Sequence, residues 1–445
     1  MRSGTKAWRH EGTKGILAPE NQRWTKSSAA FAGARVGAVG GVSFIMAGGA
    51  VLTCVAGKAP GAPLPPVREV RVLLADDASQ VRLRCTEAVA IRDSRDERIG
   101  IMSAVDDGLV VWHAGAGRTL VAGSPYAADP LFFLSERGSP LGLSFQRDGA
   151  WTTELTYPGR VAVRRLDPGA LEVVNWVELE AYVACVVANE VWPTFDLEAF
   201  RGQSIVARTF VLYQMTRRPD AVYDVYATQG SQVYRGLRDD GVGRKAKDAA
   251  EYTRGLALTW NDQGEDRLFC TYYSAACGGM SQSARPLGPE GDAAPLRGGI
   301  RCDYCKIAPG EAYRWGPVKL SLDEVTSRLL ARYPELTALG ALSAISPVEQ
   351  TATGRLISLR LTGTSGATHD ILAERFRLAI GATTLRSTDC SIRMAGQEVV
   401  FDRGKGFGHG LGLCQWGMQG LAQSGKTAGE ILRFYYPGAK LTRVY

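Results

Sequence analysis

The chain has 445 residues, 45% of them hydrophobic and 22% charged, which is enough for one large core or two to three domains. Its formal charge of +7 sits mostly in residues 1–35, where seven Lys/Arg face two Glu, and the remaining body is close to neutral. No basic stripe with interleaved aromatics follows, so nucleic acid is not an expected partner.

In chain order, the first feature is the uncharged run VGAVGGVSFIMAGGAVLTCVA at 36–56. Its length suits a hydrocarbon core, although its Gly and Ala content makes it a weak span. The basic flank before it and the GKAPGAPLPP linker after it predict export to the cell envelope, by cleaved signal or membrane anchor. A buried Gly-rich core helix is the plainer alternative, and VLTC loosely suggests a lipoprotein cleavage site at Cys54.

From 68 to about 174, short alternating runs such as EVRVLLA, VRLRC, LVVWHA and RVAVRRL predict strands. At 175 the period changes. Asn175 and Glu178 have the spacing of a capping box, and Leu179, Tyr182, Val183, Val186 and Val187 recur at helical intervals. Trp192 before Pro193 ends that helix, and a second is predicted from Asp196 as its N-cap. A shorter helix is expected at 245–254, followed by the strands LALTW and RLFCTYYSA and a Gly/Pro-rich loop at 285–318. Helices near 321–333 and 371–379 bracket strands near 344–350 and 355–362. The strand EVVFD, a glycine-dense loop and a terminal helix from about 415 finish the chain. The fold class is α+β. Its parts are the tail, span and linker at 1–66, a β-rich region at 67–174 and a helical region at 175–265. A Cys-containing loop region at 266–320 and an α/β region at 321–445 complete it.

Glu190 continues the apolar series of the first helix and falls in its last turn. Burial and the helix dipole both disfavour its charge, so its pKa is expected to be raised. A neutral carboxylic acid can protonate a glycosidic oxygen; a purely architectural Glu, bonded to backbone or to Arg208, is the alternative. Asp196 and Glu198 look like capping residues, and no second acid sits on a comparable apolar face. That pattern favours a single-acid reaction, or none.

The loop RGKGFGHGLGLCQWG at 403–417 lets backbone approach a ligand closely, but lacks the Lys-Ser/Thr ending of a phosphate loop. It carries His409, whose flanking glycines leave the ring accessible. Cys302-x-x-Cys305 with Cys277 and Cys270 could hold a structural zinc, form disulfides or remain free thiols. Cys85, Cys185, Cys390 and Cys414 read as small core residues. Four scattered histidines supply no catalytic metal site.

Together these pieces resemble the SpoIID/LytB family of stage II sporulation protein D and amidase-enhancer proteins. The matching stretches are VELEAYVACVVANEVWPTFDLEAFRGQSIVARTFVL, ATQGSQVYRG, YYSAACGGMSQSA, FRLAIGATTLRS and GKGFGHGLGLCQWGMQGLA, in family order across about 68–445. The resemblance implies a peptidoglycan lytic transglycosylase acting on peptide-stripped glycan strands, with no cofactor needed for catalysis. It places the catalytic acid at Glu190, and Gln203, Arg208, Ser231, Gln232, Tyr234, His409 and Gln415 at positions expected to line a cleft. It also allows a non-catalytic glycan-binding activator of a cell-wall amidase. Where many relatives read His-Ser-Thr-Cys-Gly-Gly, this chain has SAACGG, so Ser274 replaces a possible metal-ligating His.

Overall fold

The computed structural model describes residues 69–115 and 117–445. The expected span at 36–56 and the basic tail lie outside the described residues. Among those described, no helix is long and apolar enough to cross a membrane.

The alternating runs form two seven-stranded sheets. In the first, Glu69–Ala78 and Arg160–Leu166 flank Ala170–Glu178 on either side, both antiparallel to it. The second is built around Gln80–Cys85 and Leu141–Arg147. Gln80–Cys85 shows why the pattern works: every second side chain is buried, so one face of the strand packs inward. Valines and leucines from both sheets, Val72, Val173, Leu83 and Leu143 among them, share one core.

Asn175 does not cap a helix. It lies inside the strand Ala170–Glu178, fully buried, and its amide donates to the carbonyls of Pro158 and Arg160. Both neighbouring strands hydrogen-bond this stretch, so pairing overrides the local capping signal. The N-cap is Glu178, whose carboxylate accepts from the Ala181 N–H at 2.9 Å, and helix α1 runs Leu179–Glu190.

Helix α2, Leu197–Arg217, is buried along most of its length and packs against α1 and against α3, Gly241–Tyr252. Helix α3 starts earlier than predicted because the Asp240 side chain accepts from the Gly243 N–H at 2.8 Å. A second core, from Trp315 to Phe401, gathers α4 (Leu322–Arg332), α5 (Ala373–Ile380) and two three-stranded sheets. The single terminal helix expected from about 415 is two: α6, Gln415–Gln423, and α7, Ala428–Tyr435. Thr427 and Glu430 form a full capping box for α7. The last strand, Ala439–Arg443, then pairs with Leu256–Asp262.

One short pairing matters most for the site. Tyr273–Ser274 runs parallel to Leu413–Cys414, with Tyr273 opposite Leu413 and Ser274 opposite Cys414. It joins the YYSAACGG stretch to the end of the glycine-dense loop. Gly412 makes the approach feasible: at φ +60° its position would bring a Cβ to 2.1 Å from the Tyr272 carbonyl.

Candidate active site

Helix α1 ends at Glu190, and Val191 turns to extended backbone while its N–H still bonds the Val187 carbonyl. The Glu190 side chain therefore leaves the last turn beside a loop and a strand from elsewhere in the chain. Its Oε1 accepts two hydrogen bonds, from the Val233 N–H at 2.7 Å and from the Tyr273 hydroxyl at 3.0 Å. Oε2 has no hydrogen-bond partner among the described residues, and the residue is half-buried. Burial raises its pKa above the ordinary glutamate value. The Val233 and Tyr273 bonds, a contact with Gln415 and the charge of Arg235 pull the other way without cancelling the rise. With the Val233 and Tyr273 donors both on Oε1, the proton of the neutral acid belongs on Oε2.

Beneath the acid, Gln415 at the start of α6 donates its amide to the Glu190 backbone carbonyl at 3.3 Å and to Oε1 of Gln203 at 3.4 Å. Gln203 and Gln415 are both buried, so they brace the end of α1 rather than line a surface. Gln232 is likewise buried, accepting from the Tyr182 hydroxyl at 2.9 Å. Ser231 accepts from the Tyr226 N–H in the turn before it. Tyr234 is not a lining residue. Its ring stacks on Tyr182 in the core and its hydroxyl donates to Asn175 at 2.6 Å, so the residue that reaches Glu190 from this stretch is Val233, through backbone.

Arg208 requires a correction too. It is fully buried and donates Nε to Glu180 at 2.8 Å, with further bonds to the carbonyls of Ala250 and Leu256. Glu180, also reached by the Tyr445 hydroxyl, neutralises it. The pair welds α1 to α2 and offers no group to a ligand, nor does Arg208 touch Glu190.

His409 is half-buried, and its Nδ1 accepts from the Leu411 N–H at 3.0 Å. Burial pulls its pKa down to about 4, so the ring is neutral near pH 7 with its proton on Nε2, toward the Tyr273 backbone carbonyl. It therefore supplies no charge near pH 7. Arg355, which carries no motif signal, fixes the same loop by donating to the carbonyls of His409 and Cys277.

An exposed aromatic ring follows the acid closely in sequence. Trp192, two residues past Glu190, is 53% exposed, with its ring 5.8 Å from that of Trp416, which in turn meets Phe195 edge-on. A separate hollow of about 380 Å³, lined by residues such as Ala294, Arg297 and Pro437, shares none of these side chains.

Residues 167–260, which contain α1, Glu190 and α2, match the SpoIID family model, described as stage II sporulation protein. An uncharacterized protein of Brachyspira hyodysenteriae is 30% identical over 60% of this chain and 68% of its own. Stage II sporulation protein D of Bacillus subtilis is 27% identical over 61% of this chain and 77% of its own. The chain belongs to the SpoIID/LytB family. A B. subtilis relative named amidase enhancer is 25% identical over 58% of this chain, which spans only 40% of that longer protein.

In this family member the cysteines gather differently from the sequence expectation. The sulfurs of Cys277, Cys302, Cys305 and Cys414 all lie within 4.8 Å of one another. Cys270 is not among them: it is buried near α2, with the Gln214 amide 3.8 Å from its sulfur. Cys414 takes the fourth place because the parallel pairing with Tyr273–Ser274 carries it beside Cys277, whose N–H it accepts at 3.2 Å. None of the eight described cysteines is in a disulfide.

Proposed function

We propose that the protein is a cell-wall lytic transglycosylase that cleaves the N-acetylmuramyl–N-acetylglucosamine bond of peptide-stripped glycan, with Glu190 as its single acid and then base. The observation that carries the reading is the division of labour on one carboxyl group. The hydrogen bonds from the Val233 N–H and the Tyr273 hydroxyl both fall on Oε1, none among the described residues falls on Oε2, and burial keeps the acid protonated beyond the usual range.

The reaction balances with one carboxyl group. Oε2–H protonates the glycosidic oxygen as the muramyl C1–O bond breaks, releasing the N-acetylglucosamine 4-hydroxyl. The carboxylate left behind, steadied by Val233 N–H and the Tyr273 hydroxyl, takes the proton of the muramyl 6-hydroxyl as that oxygen bonds to C1. The 1,6-anhydro ring closes, Glu190 is again neutral and no water is consumed. The acids nearest in sequence are occupied elsewhere: Asp196 accepts from the Gln419 amide, and Glu198 pairs with Arg201 and caps the Ala428 N–H. The exposed ring of Trp192 supplies an apolar face for a pyranose next to the acid.

The amidase-enhancer relative favours a second reading, in which the protein binds glycan and stimulates a cell-wall amidase without cutting. The two part on a Glu190→Gln variant. As a transglycosylase it binds peptide-free glycan and releases nothing, whereas a pure activator binds and stimulates as well as wild type, which itself releases nothing. The expected envelope location, through residues 36–56, accords with either substrate.

A further inference from the structure

We infer that Cys277, Cys302, Cys305 and Cys414 bind one structural zinc ion. The four thiols come from three stretches far apart in sequence, and all are buried to 1% exposure or less. A tetrahedral site with Zn–S bonds of about 2.3 Å has sulfur–sulfur edges of about 3.8 Å. The Cys277 and Cys305 sulfurs are 3.7 Å apart, and no pair in the group exceeds 4.8 Å. These sulfurs already converge on one centre at the spacing the ion requires.

The surroundings suit thiolates rather than four thiols packed as apolar filler. Cys414 Sγ accepts backbone N–H groups from Cys277 at 3.2 Å and Gly417 at 3.4 Å. Cys302 Sγ lies 3.0 Å from the Tyr435 hydroxyl. N–H and O–H donors aimed at sulfur orient and stabilise metal-bound thiolates. The first turn of α6 is shaped to this cluster: a Cβ on Gly417 would fall 2.6 Å from Cys302 Sγ and 2.0 Å from the Tyr435 hydroxyl. Packing alone gives no reason to bring four sulfurs to one point.

The ion would clip the loop after Tyr273, the Cys302-x-x-Cys305 turn and the N-terminus of α6 into one unit. Cys414 is the N-cap of α6 and Gln415, the next residue, bonds the Glu190 carbonyl. Zinc binding is thereby tied to the footing of the acid, although the metal lies outside the chemistry.

Elemental analysis of the full chain, purified without chelator, tests this. About one zinc per chain is expected, retained by Cys270→Ser and lost from Cys302→Ser and Cys414→Ser. Should the serine variants fail to fold, cobalt titrated into chelated wild type must give the thiolate charge-transfer and tetrahedral d–d bands of a four-sulfur site. Zinc removal should also lower the melting temperature by roughly 5–15 °C, reversibly. The inference is overturned by disulfides among the four in the non-reduced protein, by a chain that takes up neither zinc nor cobalt, or by zinc that depends on Cys270 and not on Cys414.

Discussion

Tyr273 donates its hydroxyl to Oε1 of Glu190 at 3.0 Å, the same oxygen that the Val233 N–H occupies, so the carboxyl group meets its surroundings with one oxygen held and one free. The phenol stabilises the charged form of the acid. In Tyr273→Phe the Glu190 pKa should therefore rise further. Cleavage that needs the protonated acid declines as pH rises through that pKa. The descending limb of kcat/KM on glycan should accordingly move to higher pH in the variant, with kcat lowered about 10-fold by poorer aim and a weaker acid. A limb that stays in place or moves to lower pH contradicts this role.

The same raised pKa has a consequence for stability. Burial makes the charged form costlier folded than unfolded, so the folded-state pKa lies above the unfolded value. The contribution of Glu190 is fully present below the unfolded pKa of about 4.3 and is lost as pH rises through the folded one. Wild type should thus lose stability relative to Glu190→Gln as pH rises from about 4.3, the unfolded value, through the raised folded-state pKa. Denaturant melts of both proteins across that range measure the gap, and a pH-independent gap would count against a buried, protonated acid.

How much of this was legible in the sequence differs residue by residue. Glu190 stood out because an acid at the end of an apolar helix is a local anomaly. Yet α1 turns out to be buried on nearly all sides, Glu180 and Ala188 included, so its periodicity marked no single inward face. Asn175 and Arg208 were misread because their signals are local or motif-based while their partners are tertiary: two flanking strands for one, Glu180 for the other. Tyr273 sits in the YYSAACGG run beside Tyr272, and only the parallel pairing with Leu413 selects which ring faces the acid. Val233 acts through its N–H, which leaves no trace in residue type. Cys414 looked like core because its partner cysteines lie more than a hundred residues away along the chain. The strand and helix content, set by local periodicity, was the more readable part.

Arg208→Ala should destabilise the fold by about 3–5 kcal/mol, because it strands the buried Glu180 carboxylate without its partner. Any folded fraction should bind glycan with wild-type affinity. Thermal melts and glycan binding measured on one preparation check both halves. A stable Arg208→Ala protein with weakened glycan binding would return the residue to the ligand site.

Trp192→Ala should leave the melting temperature nearly unchanged, since the side chain is largely exposed. Loss of a stacking face should raise KM for glycan roughly 5–10-fold, with a smaller effect on kcat. Steady-state kinetics on glycan strands decide this, and an unchanged KM would remove Trp192 from the substrate surface.

The central claim is that one carboxyl group, Glu190, both gives and takes the proton. Mass spectrometry of products from peptide-free glycan, digested by wild type and by Glu190→Gln side by side, tests it most directly. The account predicts 1,6-anhydromuramyl ends from wild type, lighter by one water than hydrolysis products, and no new ends from the variant. Reducing muramic acid ends from wild type, or anhydro ends still formed by Glu190→Gln, would contradict it.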